Sequence, residues 1–356
     1  MKILYGVVGE GMGHAMRSSV VIEHLLSEGH DIHVMASSRA VDYLQQRFDN
    51  VHMIAGLHII YEQNRVRLGK TVWSNVLAGT EALPDQIQAY FDLVSGFEPE
   101  AVVSDFESWT YLFGRLHGLP VVSIDNMQII NRCWHPDAVV AADLPDFEIT
   151  KAFVKSKLPD CDHYYVTTFF YPEVRKERTS LHPPILRKVV LDAVPERGDH
   201  LLVYQTAEGN DDLAAALAAT GLECRIYGMR RDLTADATEG RLVYRPFSER
   251  TFIDDLRTAR AAIAGGGFTL MGECVYLRKP MLSVPVGAQF EQILNARWLE
   301  ALGYGRHASA LGRDSIAAFV EGIPDMEARL SSYRQDGNKS LFTALDAHLD
   351  RLSAGV

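Results

Sequence analysis

The sequence is poor in cysteine, and its four (Cys133, Cys161, Cys224 and Cys274) stand far apart with no C-x-x-C pair. That excludes a disulfide framework and a cysteine zinc cluster, and reduced thiols are expected. No run of about 18 apolar residues exists to span a bilayer, and the apolar start "ILYGVV" is too short for a signal peptide. A cytoplasmic protein is expected, with peripheral contact at the inner face of a membrane left open. Positive charge is scarce as well. Thirty-five Lys and Arg against 46 Asp and Glu give −11, which argues against nucleic acid, whose binders neutralise phosphates. Low-complexity tracts and short repeats are absent.

What is present suffices for two lobes. The chain has 356 residues, 47% of them hydrophobic, against a prior of roughly 100 to 200 residues per domain. Apolar runs ("KILYGVV", "DIHVMAS", "VHMIAGLHII", "AVVSDF", "VVSID") alternate with helical patterns at 15–28, 40–48, 72–96 and 108–117. Strands apolar on both faces predict a parallel sheet covered by helices on each side. The stretch 126–185 is less regular and ends in "TSLHPPIL", read as a hinge or linker. The rhythm then resumes with "HLLVYQT", "CRIYG", "RLVYRPF", "AAIAGGG" and "MLSVPV", interleaved with helices at 211–220, 249–258, 268–277 and 289–301. The expected fold class is α/β, with doubly wound Rossmann-like domains at 1–183 and 184–335. A terminal helix at 336–356 carries Leu341, Leu345, Leu349 and Leu352 on one stripe, which must find a groove and is expected to pack back on the first domain.

"GVVGEGMGHAMRS" is a strand, a glycine turn (Gly9, Gly11, Gly13) and a helix start, where backbone N–H groups meet an anion or a close-lying ligand. A dinucleotide fingerprint would need glycine at position 14, where His14 stands; Ser37, Ser38 and Arg39 keep a nicotinamide enzyme as a minor alternative. Following the first strand, His14 points into the crevice where open α/β sheets bind ligands, and an imidazole there is a candidate general base. Its plain alternative is a structural or solvated loop residue. Asp105 ends another central strand at the same sheet edge and is either the carboxylate that orients His14 or the N-cap of "ESWTYLFGRL". Glu107 is the substitute.

The second glycine cluster, Gly265 to Gly267, precedes a helix whose free N–H groups make a seat for a diphosphate. Thr269 opens that helix and Glu273 lies one turn on, on the same face, where a carboxylate can accept from ribose hydroxyls. After the next strand come Gln289, Glu291 and Gln292, polar groups suited to vicinal sugar hydroxyls. Together, "GGGFT…E…KPMLSVPV…EQ…NA" resembles the donor signature of GT-B nucleotide-diphosphate-sugar glycosyltransferases, the group holding the UDP-glucuronosyltransferases and the peptidoglycan N-acetylglucosaminyltransferase. "GEGMGHAMRS" is similar to the "G-x-G-H-x-x-R" loop of its bacterial members.

The resemblance implies that the diphosphate rests on Gly266, Gly267, Phe268 and Thr269, with Glu273 on the ribose and Glu291 and Gln292 on the sugar. It places the base against Tyr244 to Phe247, with Arg245 and Phe247 as contacts. The loop Gln205 to Gly209, with Thr206, faces the phosphates, and Gly11 and Gly13 join the donor set. His14 and Asp105 fall where members carry a His–Asp dyad. The implied reaction is inverting transfer from a nucleotide-diphosphate donor, UDP foremost, to a hydroxyl acceptor, with no cofactor and no metal. The Asp pairs at 211–212 and 254–255 read as charge at helix starts. Where relatives carry a histidine before the diphosphate this chain has Ala264 and three glycines, which shifts that role to Thr269 or Thr206. The acceptor, lipid-linked or a small metabolite, is expected at Ile59, Ile60, Tyr61 and Trp73 with Arg65, Arg67 and Lys70, a stretch that also reads as a mobile loop. A nucleotide-sugar 2-epimerase of the same architecture and a non-catalytic nucleotide-sugar-binding protein are the alternatives.

Overall fold

The computed structural model describes residues 1–9, 11–54, 61–62, 65–66, 94–205, 211–285 and 289–355. Thr206, most of the helix expected at 72–96, and the side chains of the expected acceptor stretch lie outside them. The described chain divides into two compact units: 1–136, 142–185 and 338–356 form the first, and 137–141 with 186–337 the second.

The first unit is built on strands β1 (Lys2–Val7), β2 (Asp31–Ala36), β3 (Val51–Met53), β6 (Ala101–Asp105), β7 (Val121–Asp125), β8 (His163–Thr167) and β9 (Thr179–His182). A two-residue ladder, β4 (Tyr61–Glu62) with β5 (Arg65–Val66), stands apart. The seven strands run parallel in the order β3-β2-β1-β6-β7-β8-β9. β6 and β7 are buried at every residue, as strands covered on both faces must be. Helices α1 (Met12–Ser27), α2 (Arg39–Gln45), α3 (Ser108–Leu116), α4 (Ile129–Arg132) and α6 (Leu144–Lys157) fill the connections; the short α5 (Asp137–Val140) belongs to the second unit. "TSLH", read as part of a linker, is the edge strand β9. The two prolines that follow it made the stretch look like a chain break, but they stand after the last ladder residue, where a missing N–H costs nothing.

The second unit repeats the plan. Its strands are β10 (His200–Tyr204), β11 (Glu223–Tyr227), β12 (Ala237–Glu239), β13 (Leu242–Arg245), β14 (Ala261–Ala264), β15 (Met281–Ser283) and β16 (Gly305–His307), in the order β12-β13-β11-β10-β14-β15-β16. Only β12 pairs antiparallel. The helices are α7 (Lys188–Leu191), α8 (Asp211–Ala218), α9 (Glu249–Thr258), α10 (Phe268–Tyr276), α11 (Phe290–Ala301) and α12 (Arg313–Leu330). The sequence reading has no element between 302 and 337, where β16 and α12 lie. Pro324 inside α12 breaks the pattern by which a helix is recognised, yet Ile316, Phe319 and Ile323 still face the core.

The final helix, α13 (Lys339–Ser353), belongs to the first unit. Leu341, Leu345 and Leu349 are buried among β1, β2 and α1 residues such as Ile3, Tyr5 and Ile22, with Leu352 partly buried beside them. His24 adds a bond to Asp346 at 2.8 Å and stacks on Phe342.

Candidate functional site

Among the parallel strands of each seven-stranded sheet the order reverses once, and such a switch point is where open α/β sheets leave a crevice outside their carboxyl edge. In the first unit it lies between β1 and β6, and the register sets Val7 beside Asp105. The chain leaves β1 through Gly9, where an added Cβ would lie 2.0 Å from the Ser37 carbonyl oxygen. Only glycine permits that approach, and it brings the Gly9 N–H within 3.0 Å of Ser37 Oγ. Ser37, one of the residues that keep a nicotinamide enzyme as an alternative, is thereby engaged within the turn. Gly11 is the N-cap of α1, extended and with open space where a Cβ would stand. Gly13 lies in the first turn.

His14, in that same turn, sets Nδ1 2.9 Å from Asp105 Oδ1. The other reading of Asp105, as a helix cap, is overturned: Glu107 caps α3, accepting from the N–H groups of Trp109 and Thr110 at 2.8 Å each. Between the two acids Phe106 takes φ 56°, a left-handed conformation that costs a bulky residue about 1–2 kcal/mol. The Lys157 ammonium sits 4.3 Å over its ring. The twist turns Glu107 into the helix and leaves Asp105 facing α1.

Asp105 is buried and saturated. Arg17 forks onto it, Nε to Oδ2 at 2.8 Å and Nη2 to Oδ1 at 2.5 Å, and Ser18 Oγ donates to Oδ2 at 2.8 Å. Burial alone would raise this carboxyl, but the Arg17 charge, with help from His14, holds it well below the usual carboxylate range. Burial and then Arg17 push the His14 imidazole below its ordinary value, against the pull of Asp105. On the adjacent strand β7, buried Asp125 accepts from Ser123 Oγ and the Gln128 N–H, and burial pushes it up to about 6.

In the second unit the switch point lies between β10 and β14. Gly265 to Gly267 follow β14 and Gly267 is the N-cap of α10, a helix with no side-chain cap and no acid in its first turn. Phe268 opens the helix and Thr269 is its second residue. A Cβ on Gly266 would lie 2.5 Å from the Gln292 Cβ. The missing side chain therefore lets α11 close on the loop, and brings the expected sugar contact beside the expected diphosphate seat. Gln289 is the N-cap of α11 and accepts a short bond from Gln292 Nε2, while Asn295 Nδ2 holds Glu291 Oε1 at 2.6 Å.

Glu273 is buried in α10. Arg187 donates to its Oε1 twice, from Nε at 2.9 Å and Nη2 at 2.6 Å, and also bonds Glu249. Burial pushes the Glu273 carboxyl up, with Arg187 pulling against it. Arg245 points its Nη1 at Asp255 Oδ2, 3.1 Å away. Phe247 is 59% exposed beside Tyr204, Tyr227 and Phe252. Asp255 corrects the reading of 254–255 as charge at a helix start. It lies inside α9, is buried, and joins Arg225 Nη1 at 2.6 Å and Tyr227 OH at 2.5 Å.

Arg17, Arg187 and Asp255 are absent from the sequence-derived set. Arg17 alone left a signal, three positions after His14 on the same helix face. Among the described residues no group of three His, Cys, Asp or Glu is placed to hold a metal ion, and no helix is long and apolar enough to cross a membrane.

The family model for glycosyl transferase family 1 matches residues 1–324. An uncharacterized glycosyltransferase of Methanosarcina mazei is 24% identical over 337 residues, covering 87% of this chain and 86% of its own. Among solved structures, the calicheamicin glycosyltransferase CalG4 is similar with a TM-score of 0.64 at 18% identity, over 98% of each chain. Phytolacca americana UGT2, complexed with UDP-2fluoro-glucose and pterostilbene, gives 0.65 at 16% identity over 99% of each. These likenesses fix the fold as GT-B, with two Rossmann-like domains.

Proposed function

Because the chain belongs to glycosyl transferase family 1 and is an enzyme that transfers a sugar, we propose that it moves a sugar from a nucleotide diphosphate, UDP foremost, to a hydroxyl acceptor with inversion. The contact between His14 and Asp105 at the first switch point carries the reading. In the tautomer that carries its proton on Nδ1, turned to Asp105 Oδ1 while Arg17 Nη2 donates to that same oxygen, Nε2 takes the acceptor's hydroxyl proton. The acceptor oxygen attacks the anomeric carbon from the face opposite the diphosphate, and the bond from that carbon to the phosphate oxygen breaks.

The leaving diphosphate carries away the electron pair. The uncapped start of α10, Gly266 to Thr269, offers it backbone N–H donors and the positive end of a helix dipole, help of several kcal/mol to developing charge. In this role the helix start replaces a metal, and no cofactor takes part. Oε2 of Glu273 is left by Arg187 for a ribose hydroxyl. Glu291 and Gln292 take the sugar, and Phe247 and the backbone at Arg245 take the base. UGT2, with its bound UDP-2fluoro-glucose, supports UDP as the first nucleotide to try.

Thermal-shift measurements against UDP, TDP, GDP and ADP test the donor seat: one diphosphate should raise the melting temperature, and no rise with any of them overturns the reading. Incubation with the UDP-sugar alone tests the chemistry. Isomerised sugar in the absence of acceptor would favour a 2-epimerase.

A further inference from the structure

A His–Asp pair alone does not describe the first switch point, because three charged or titratable groups meet there in one triangle. Nδ1 of His14 lies 2.9 Å from Asp105 Oδ1 and 2.6 Å from Arg17 Nη2, and Nη2 lies 2.5 Å from the same Oδ1. Arg17 and Asp105 are both buried, at 5% and 1% exposure. With Arg17 Nε and Ser18 Oγ on Oδ2, both carboxylate oxygens are held from two directions. The carboxylate plane is fixed, and so is the ring that leans on it.

We propose that Arg17 is the positioning residue of this site: its guanidinium fork locks the Asp105 carboxylate and cancels its charge, so that the carboxylate orients the His14 ring without drawing a second proton onto it. An unpaired buried carboxylate next to an imidazole favours imidazolium, and an imidazolium cannot accept the acceptor's proton. A bidentate arginine removes that bias while keeping the geometry. The other charged group acting on His14 from a neighbouring element, Lys157 of α6, works in the same direction as Arg17. Further along, Asp125 of β7 and Tyr5 of β1 sense Asp105 and Arg17, and Glu107 is tied into its helix cap.

The inference deepens the reading of His14 as general base and rests on it for its catalytic meaning, although Arg17's hold on the ring is measurable without turnover. In protein carrying ¹³C-labelled histidine, the His14 resonance, assigned by its loss in His14→Gln, is followed as pH is varied. In the wild type its midpoint should lie below the ordinary value of about 6.5. Arg17→Met, and the gentler Arg17→Gln, should move it up by about one to two pH units, and adding Asp105→Asn to either should bring it back down. A wild-type midpoint above the ordinary value, or one that stays or falls in the Arg17 variants, overturns the proposal. Where transfer is measurable, the acid limb of kcat/KM should follow the same shift. A resonance that moves while the limb stays fixed leaves Arg17's control intact and removes His14 from the role of base.

Discussion

The two units share a doubly wound plan and differ most where their strand orders reverse. The first puts charge there: an imidazole, a buried carboxylate and an arginine fork, all on side chains that packing has immobilised. The second leaves side chains out, with three glycines and a helix start whose cap offers nothing but backbone. In the function proposed above, the first edge moves a proton and the second receives an anion close to the main chain. The same topology thus supports two chemistries, chosen by what the first few residues after a strand carry.

The largest expected effect breaks the first half of that contrast. His14→Gln should lower transfer about 10²- to 10⁴-fold while the thermal shift given by the nucleotide diphosphate stays as in the wild type. If that shift disappears as well, the division of labour between the two edges is wrong. Next comes Asp125→Asn, which tests whether the first edge stores buried charge. The folded carboxyl titrates at about 6, above the unfolded value of about 3.9. Its stabilising contribution is therefore complete only below the unfolded value and is lost as pH rises through about 6. Denaturant unfolding should show the variant gaining about 3 kcal/mol on the wild type at pH 7.5 and almost nothing at pH 4; an equal effect at both would remove the buried-acid account.

At the second edge, Gly266→Ala puts a methyl group against Gln292 and should cost about 2 kcal/mol of stability together with nucleotide affinity. Retained affinity would show that α11 has room to yield. The smallest effect sharpens the comparison of Asp105 with Glu273, each held by an arginine. Glu273→Gln should weaken nucleotide-sugar binding about tenfold, read by calorimetry, and leave binding of the diphosphate without its ribose unchanged.

The first edge was legible because sheet topology is: an apolar strand, a glycine turn and a second apolar strand ending in Asp predict that His14 and Asp105 share an edge. Whether Asp105 or Glu107 capped the helix was not legible. Asp is the favoured cap by residue type, and Glu107 takes the place instead because of the left-handed turn at Phe106, which no propensity predicts for a bulky residue. Arg17 stands in the "G-x-G-H-x-x-R" loop one helical turn after His14, but its hold on Asp105 comes from burial, which the sequence does not show. Asp255 was misread for a related reason. Local charge pattern says nothing of Arg225 and Tyr227, which reach it from strand β11. Gly266, by contrast, stood out, though the reason lies in the approach of Gln292 as much as in any anion.

The last helix carries a consequence for how the chain is made. Leu341, Leu345 and Leu349 complete a core whose other walls come from residues 3–185, while 186–337 belongs to a separate compact unit in between. Synthesis runs from the amino end, so the amino-terminal body waits with an apolar flank uncovered until residues 339–353 have been made. The later-made body has all its strands in hand before the earlier one can close. Nascent chains halted near residue 337 should therefore protect the later body from protease and leave the earlier one open to it.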